Sequence, residues 1–533
     1  MAEPRTAARA PFRVAVVVAA AASLLAGVPL APGGAAPETV VRGVAVPVRT
    51  LLPSPLGPGL RLDGQGLRAV VAAETDRTRV CAPIWATGVG VTWRQHGGGD
   101  VEVELRAERT GGRLGRTVHL DAGDEADPGS ADAAWGLRGS GFLWTGGSRC
   151  VRLSMLLPMG SRIADVRVVF VNASGTSGGP RTGPAQVGPV AAGEGSSPAA
   201  SAAARRPRIV TREEWGADPD LMDCTPLVAD EVRMGFVHHT AGSNAYTREE
   251  GDDVVRAVYA YHTNGRGWCD IGYNFLVDRY GTIYEGRSGG MELPVIGAAQ
   301  MGFNTHAFSV SVMGNFETSA VPRAAQRALV RLLAWRLDVA HVNPRARATM
   351  VSAGGSNTRY PADEVVRLST ISGHRDTGYT ACPGARLYPL LPGIRQRVAE
   401  RGLPKIYRPR LSVDELAAGV PVDVRIRARG SGELSWSVVL LGLDGAVAAE
   451  LGTASGRDLD LAWPGTGPPL QPTIPGAYTI SVAATAPDGR LARTALLRLT
   501  VRAAPTPTPS PTPTPSPTPS ASPMPSASPT PTP

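Results

Sequence analysis

The sequence predicts a multidomain protein in which a central α/β region with a mixed sheet is flanked by two β-sandwich-like regions. Three observations carry that prediction. The chain has 533 residues, long enough for about three domains. Runs rich in β-formers, several of them alternating with period two, mark residues 40–173 and 408–502, whereas residues 208–402 alternate β-prone runs with stretches of helical period. Segments of small and turn-forming residues, poor in large apolar side chains, separate these regions and end the chain.

Taken in order, Arg5, Arg9 and Arg13 precede an Ala, Val and Leu run from Val14 to about Val28, and small residues follow at Ala31 to Ala36. This is the pattern of a secretory signal over residues 1–36, cleaved between Ala26 and Pro37; the run is short for a membrane span, and a retained N-terminal anchor is the alternative. After cleavage no stretch is long and apolar enough to cross a bilayer. In the β-rich region 40–173, Val101 to Leu105 alternates cleanly and Val166 to Val171 is rich in β-formers, with turns at Gly97-Gly98-Gly99 and Asp127-Pro128-Gly129. His96 and His119 stand alone there and are read as surface or structural. Residues 174–207 read as a flexible linker.

In the central region, Met234 to His239 reads as a strand. Thr247 is placed to cap a helix running toward His262, with Val254, Val255, Val258 and Tyr261 on its inner face. Asn274 to Asp278 and Thr282 to Tyr284 flank a turn at Tyr280-Gly281, and Phe308 to Met313 is a further strand. Pro322 opens a long helix with Leu329, Leu332, Leu333 and Leu337 at helical spacing. Ala385 to Glu400 is expected as a helix broken near Pro392-Gly393. Residues 408–502 fit an immunoglobulin-like β-region, with turns at Pro475-Gly476 and Pro487-Asp488-Gly489. The tail, 503–533, is Pro-Thr and Pro-Ser repeats, expected as an extended polyproline II stalk or a disordered spacer.

The formal net charge is +8 and Lys405 is the only lysine, so arginine carries the positive charge. Such a balance favours an acidic partner such as a cell-wall polymer, a membrane surface or nucleic acid, unless it serves only solubility. No compact arginine block with interleaved aromatics is present, so nucleic acid is not expected; a monomer is.

Two stretches hold the chemistry. Phe236-Val237-His238-His239-Thr240 delivers histidines where a buried strand runs out, and Gly373-His374-Arg375-Asp376-Thr377-Gly378-Tyr379-Thr380-Ala381-Cys382 offers a His and a Cys. Two imidazoles and a thiolate can bind Zn²⁺ and leave a fourth position open, although residue types alone leave coincidence open. The five cysteines are Cys81, Cys150, Cys224, Cys269 and Cys382. If a metal takes Cys382, the other four fall two by two, making Cys81–Cys150 and Cys224–Cys269 the economical bridges in an exported protein; sequence alone allows three pairings.

Residues from Arg212 to about Ala399 resemble the peptidoglycan recognition protein and type 2 N-acetylmuramoyl-L-alanine amidase family. The resemblance is carried by Arg212-Glu213-Glu214-Trp215-Gly216, Val237-His238-His239-Thr240, Trp268-Cys269-Asp270-Ile271-Gly272-Tyr273-Asn274-Phe275, Asp278 to Arg287, Gly302-Phe303-Asn304 and His374 to Cys382, all in the expected order. It implies His238, His374 and Cys382 as zinc ligands, Tyr273 beside the metal-bound water or the scissile carbonyl, and Thr380 at a position where family amidases carry lysine or threonine. It supports the Cys224–Cys269 bridge more than Cys81–Cys150. On a strand His239 should face away from its neighbour. Asp376 is placed either to orient a zinc histidine through its second nitrogen or to cap a turn. Glu285 is open between sheet edge and cleft. One departure stands out: Ala299 replaces a family histidine, and Ala307 and Ser309 also differ. The N-terminal β-region is similar to modules that accompany secreted bacterial amidases.

The resemblance implies a secreted or wall-associated zinc hydrolase that cleaves the amide between the muramic acid lactyl group and L-alanine of peptidoglycan. A wall-binding module without turnover, and a zinc peptidase of another class, are the rivals; the absence of a His-Glu-x-x-His helix argues against the commonest zinc peptidases.

Overall fold

The computed structural model describes residues 38–47, 60–63, 66–69, 78–97, 101–120, 126–133, 136–158, 160–175, 203–418, 422–464 and 474–503. The signal segment, residues 176–202 of the linker and the tail beyond Ala503 lie outside them. No helix among the described residues is long and apolar enough to cross a membrane.

The first region contributes β1 (Val40–Ala45), β2 (Leu60–Asp63), β3 (Gly66–Ala69), β4 (Thr78–His96), β5 (Glu102–Ala107), β6 (Val118–Leu120), β7 (Arg138–Gly139), β8 (Leu143–Leu156) and β9 (Arg162–Asn172). β2 pairs only with β3, and the others form one antiparallel sheet ordered β1-β9-β4-β8-β5-β6 with β7 on β4. The alternation read from sequence is realised in β5, where Val103 and Leu105 are buried while Glu102 faces solvent. Cys81 on β4 lies opposite Cys150 on β8 and the two are bridged.

The central region contributes β10 (Met234–His239), α1 (Gly251–Ala260), β11 (Phe275–Val277), β12 (Ile283–Glu285), β13 (Ala307–Val312), α2 (Arg323–Val339), β14 (Arg347–Val351), β15 (Val365–Ser369), β16 (Ile371–Gly373) and α3 (Leu391–Ala399). Its mixed sheet has the order β12-β11-β13-β10-β16, parallel except for β11 with β12. Every residue of β10 and β13 is buried, as expected of parallel strands in a sheet covered on both faces. The leucine stripe of α2 is fully buried at Leu329, Leu332, Leu333 and Leu337. Cys224 and Cys269 form the second bridge.

Two local expectations are corrected. Thr247 does not cap α1, which starts four residues later; instead its N–H donates to the Glu250 carboxylate at 2.7 Å. The helix expected from Ala385 begins only at Leu391, after a turn and the short 3₁₀ helix Tyr388–Leu390, so Pro392 falls in the first turn of α3, where its missing N–H is no loss.

The last region contributes β17 (Ile406–Leu411), β18 (Glu415–Ala417), β19 (Val424–Leu441), β20 (Val447–Trp463), β21 (Gly476–Thr485) and β22 (Ala495–Arg502), joined in one sheet. Among the described residues both flanking regions are built of β-strands, with one short 3₁₀ turn at Ala131–Ala133 in the first. The end of the expected linker is tied down: the buried Ala204 N–H donates to Asp338 of α2 at 3.1 Å, and Arg493 of the last region reaches the same carboxylate at 3.2 Å.

The first and central regions share an apolar cluster. Phe142, Trp144 and Val171 pack with Trp215, Val258 and Tyr261, and the Phe142 and Tyr261 rings lie 5.4 Å apart. The Tyr261 hydroxyl donates across this seam to the carbonyls of Ser140 at 2.9 Å and Val91 at 3.0 Å. Tyr261→Phe should strand both buried carbonyls and cost about 1–2 kcal/mol, seen as a lowered calorimetric melting temperature; an unchanged midpoint would remove this hydroxyl from the seam's energetics.

Candidate metal centre

The site is built where β10 and β16 end side by side. Their register sets Val237 opposite Gly373, so the next residues, His238 and His374, emerge together, and their ring centroids lie 4.7 Å apart. The short helical turn His374–Asp376 then redirects the chain, and Cys382 returns to place Sγ 3.8 Å from His238 Nδ1. The ligand atoms of His238, His374 and Cys382 all lie within 4.8 Å of one another, and all three side chains are buried. Two borderline imidazole nitrogens and one thiol outside both disulfides form a donor set that could hold a metal ion.

The surroundings hold these donors in place. The His239 N–H points at the Cys382 sulfur at 3.4 Å. Thr380 uses its hydroxyl to accept the Cys382 N–H at 3.1 Å, so it shapes the loop that carries the sulfur. His239 faces away, and its Nδ1 accepts the Phe316 N–H at 3.1 Å, as alternation along a strand requires. Asp376 takes the turn-capping alternative: its two oxygens receive the Gly373 N–H at 2.9 Å and the Tyr388 hydroxyl at 2.5 Å. The carboxylate is thereby committed to the turn, and Tyr388 is pushed to a higher pKa by that hydrogen bond. Glu285 accepts the Arg212 N–H at 3.1 Å, a sheet-edge role.

Tyr273 is buried beside the centre, its ring 5.7 Å from that of His238. A residue that the sequence reading passed over, His262, fills the space behind it. Its ring lies 5.6 Å from Tyr273 and 4.6 Å from Trp268, and its Nδ1 accepts the Gly272 N–H at 3.1 Å. The signal available was its place four residues after Val258, on the continuation of the α1 stripe.

A second support comes from outside the central region. Asp127, in the loop before β7, accepts the Gly302 N–H at 2.6 Å and the Asn304 amide at 2.9 Å. Asn304 in turn accepts the N–H groups of Ala299 and Gln300, both at 2.9 Å. Gln300 reaches the His374 carbonyl at 3.2 Å and the Thr377 hydroxyl. Burial pushes the Asp127 carboxyl pKa up. Asp132 pairs with Arg287 at 2.6 Å and accepts the Cys269 N–H at 3.0 Å. Ala299, at the position expected near the cleft, is wholly buried in the cluster that contains Tyr273, so the small residue is packed rather than open.

The profile of the N-acetylmuramoyl-L-alanine amidase family matches residues 229–385. Peptidoglycan recognition protein 1 of Mus musculus is 31% identical over 183 residues, which are 34% of this chain and 85% of that protein. Peptidoglycan recognition protein 1 of Bos taurus is 32% identical over 184 residues, covering 34% and 82%. The structure of wild-type Drosophila PGRP-LB is 24% identical with a TM-score of 0.27, covering 34% of this chain and 91% of that chain.

Proposed function

Because the chain belongs to the peptidoglycan recognition protein and type 2 amidase family, we propose that it is a secreted, zinc-dependent N-acetylmuramoyl-L-alanine amidase, with residues 208–402 as its catalytic domain between β-sandwich-like domains 40–173 and 408–502. The observation that carries the reading is the convergence of His238, His374 and Cys382 within 4.8 Å. A chain used only to bind peptidoglycan has no need of a complete donor set. The apolar N-terminal run and the two disulfides support an exported protein.

In this reading the substrate is the amide between the muramic acid lactyl group and L-alanine. Zinc, when bound, supplies a water acidic enough to attack at neutral pH and a Lewis acid for the carbonyl oxygen. The chain's own residues do the rest. His239 N–H and Thr380 fix the sulfur. Gln300 holds the His374 backbone. Tyr273 directs its hydroxyl to the carbonyl oxygen as negative charge develops, in a setting from which burial excludes water. Tyr273→Phe should lower kcat about 100-fold while KM changes little; a rate within a factor of about three of the parent would leave the ring as packing only.

The direct test is mass spectrometry of purified muropeptides after incubation with the zinc-loaded protein. Intact stem peptide and free glycan are the expected products. Cleavage inside the stem would point to a peptidase, and muropeptide binding with no product would leave a recognition module.

A further inference from the structure

The sequence contains no compact arginine block, yet the fold assembles one. Arg323, Arg327 and Arg331 recur every fourth residue on α2, and Arg397 and Arg401 stand four apart on and just after α3. The two helices pack together, and Arg327, Arg331, Arg397 and Arg401 line a groove of about 680 Å³ between them. Its only carboxylate, Glu400, is hydrogen-bonded by Gln396 at 3.1 Å, and among the described residues none of the four guanidinium groups has a carboxylate within ion-pair distance. Arg331 is held below the usual arginine pKa by burial and by the charges of Arg401 and Arg327. Like charges gathered without counter-charges oppose folding, so a bound anion would relieve the repulsion.

We propose that this groove is a binding site for a flexible phosphodiester or polyphosphate chain that carries no stacking bases. Arginine forks match phosphate oxygens bidentately. Four-residue spacing sets successive stems about 6 Å apart along each helix, a spacing that successive phosphates of an extended polyol-phosphate chain can follow. No aromatic side chain lines the groove, and proteins that hold single-stranded nucleic acid use aromatic platforms for the bases. Val330, the one apolar side chain lining the groove, is buried, so the groove offers no apolar face of the kind that enters a lipid surface. It is made from elements separate from the metal centre, so the polymer would anchor the enzyme without entering the catalytic cleft.

The test is binding of the full-length secreted protein to long-chain inorganic polyphosphate and to poly(glycerol phosphate), followed by anisotropy across a salt series. The parent should bind both with log affinity falling linearly in log salt. Arg327→Gln with Arg401→Gln should weaken binding at least about tenfold and flatten the slope by about 1.4, at about 0.7 for each lost phosphate contact. A control with Arg42→Gln and Arg498→Gln, exposed positions on other regions with the same change in net charge, should bind as the parent does. Equal loss in the control, or tighter arginine-dependent binding to single-stranded DNA or to anionic vesicles, overturns the proposal. Hydrolysis of polymer-free muropeptides should be unchanged in all variants, which separates this outcome from failure of the amidase reading.

Discussion

Replacing Cys382 with serine is expected to empty the metal centre and to lower amide hydrolysis by more than about 100-fold. Outer-sphere changes around metal ligands already cost about 10–100-fold, and this substitution removes a ligand. The sulfur is buried, 3.8 Å from His238 Nδ1, with the His239 N–H directed at it. A serine hydroxyl is shorter, harder and far less acidic than a thiol, so at neutral pH it offers no anion to a zinc ion. Two imidazoles then remain, too few for a closed structural site and one short of the three protein ligands of a catalytic one. Cys382 takes part in no disulfide, so the variant should fold. Zinc stoichiometry by plasma mass spectrometry, read beside product formation, checks both halves. Full zinc occupancy with parental rate would exclude the thiolate from the centre.

Asp132→Ala is expected to be the most destabilising single change at the seam between the first and central regions. Asp132 and Arg287 are both buried, paired at 2.6 Å, and Arg287 also reaches the Cys269 sulfur at 3.3 Å. Removing the carboxylate leaves a guanidinium uncompensated in a low-dielectric site and strands the Cys269 N–H that Asp132 accepts. A broken buried pair costs about 3–5 kcal/mol. The double variant Asp132→Ala, Arg287→Met should recover most of this, since loss of both charges removes the desolvation penalty as well as the attraction. Urea denaturation followed by tryptophan fluorescence measures both. If the double variant is as unstable as the single one, the cost lies in packing or in the Cys269 N–H and not in the orphaned charge.

What was legible in the sequence was what local pattern and spacing encode. The strand at Met234–His239 and the buried stripe of α2 sit where their residue patterns placed them, and His238, His374 and Cys382, singled out as candidate donors, come together. Opposite facing of His238 and His239 followed from strand alternation alone. The failures share a cause. Thr247 offered a plausible cap, but α1 begins only at Gly251, with Glu250 at the capping position. Asp376 was left open between two roles, and the short turn Tyr388–Leu390 before α3 brings the Tyr388 hydroxyl to its carboxylate. Asp127 and Asp132 gave no sign of their roles because their partners, Asn304 and Arg287, lie more than 150 positions away. Contacts at that separation depend on how two regions dock, which no window of neighbouring residues records.

The shared apolar cluster has a consequence for biosynthesis. The chain emerges from its N-terminus, so the sheet of the first region can form before α1 exists. Until Gly251–Ala260 has been made, Phe142, Trp144, Val169 and Val171 lack the cover that α1 gives them. The nascent protein therefore passes through a stage with an aromatic, adhesive face turned outward, the kind of surface on which partly made multidomain chains aggregate. Holding chaperones would find their target on this face, before the finished molecule buries it.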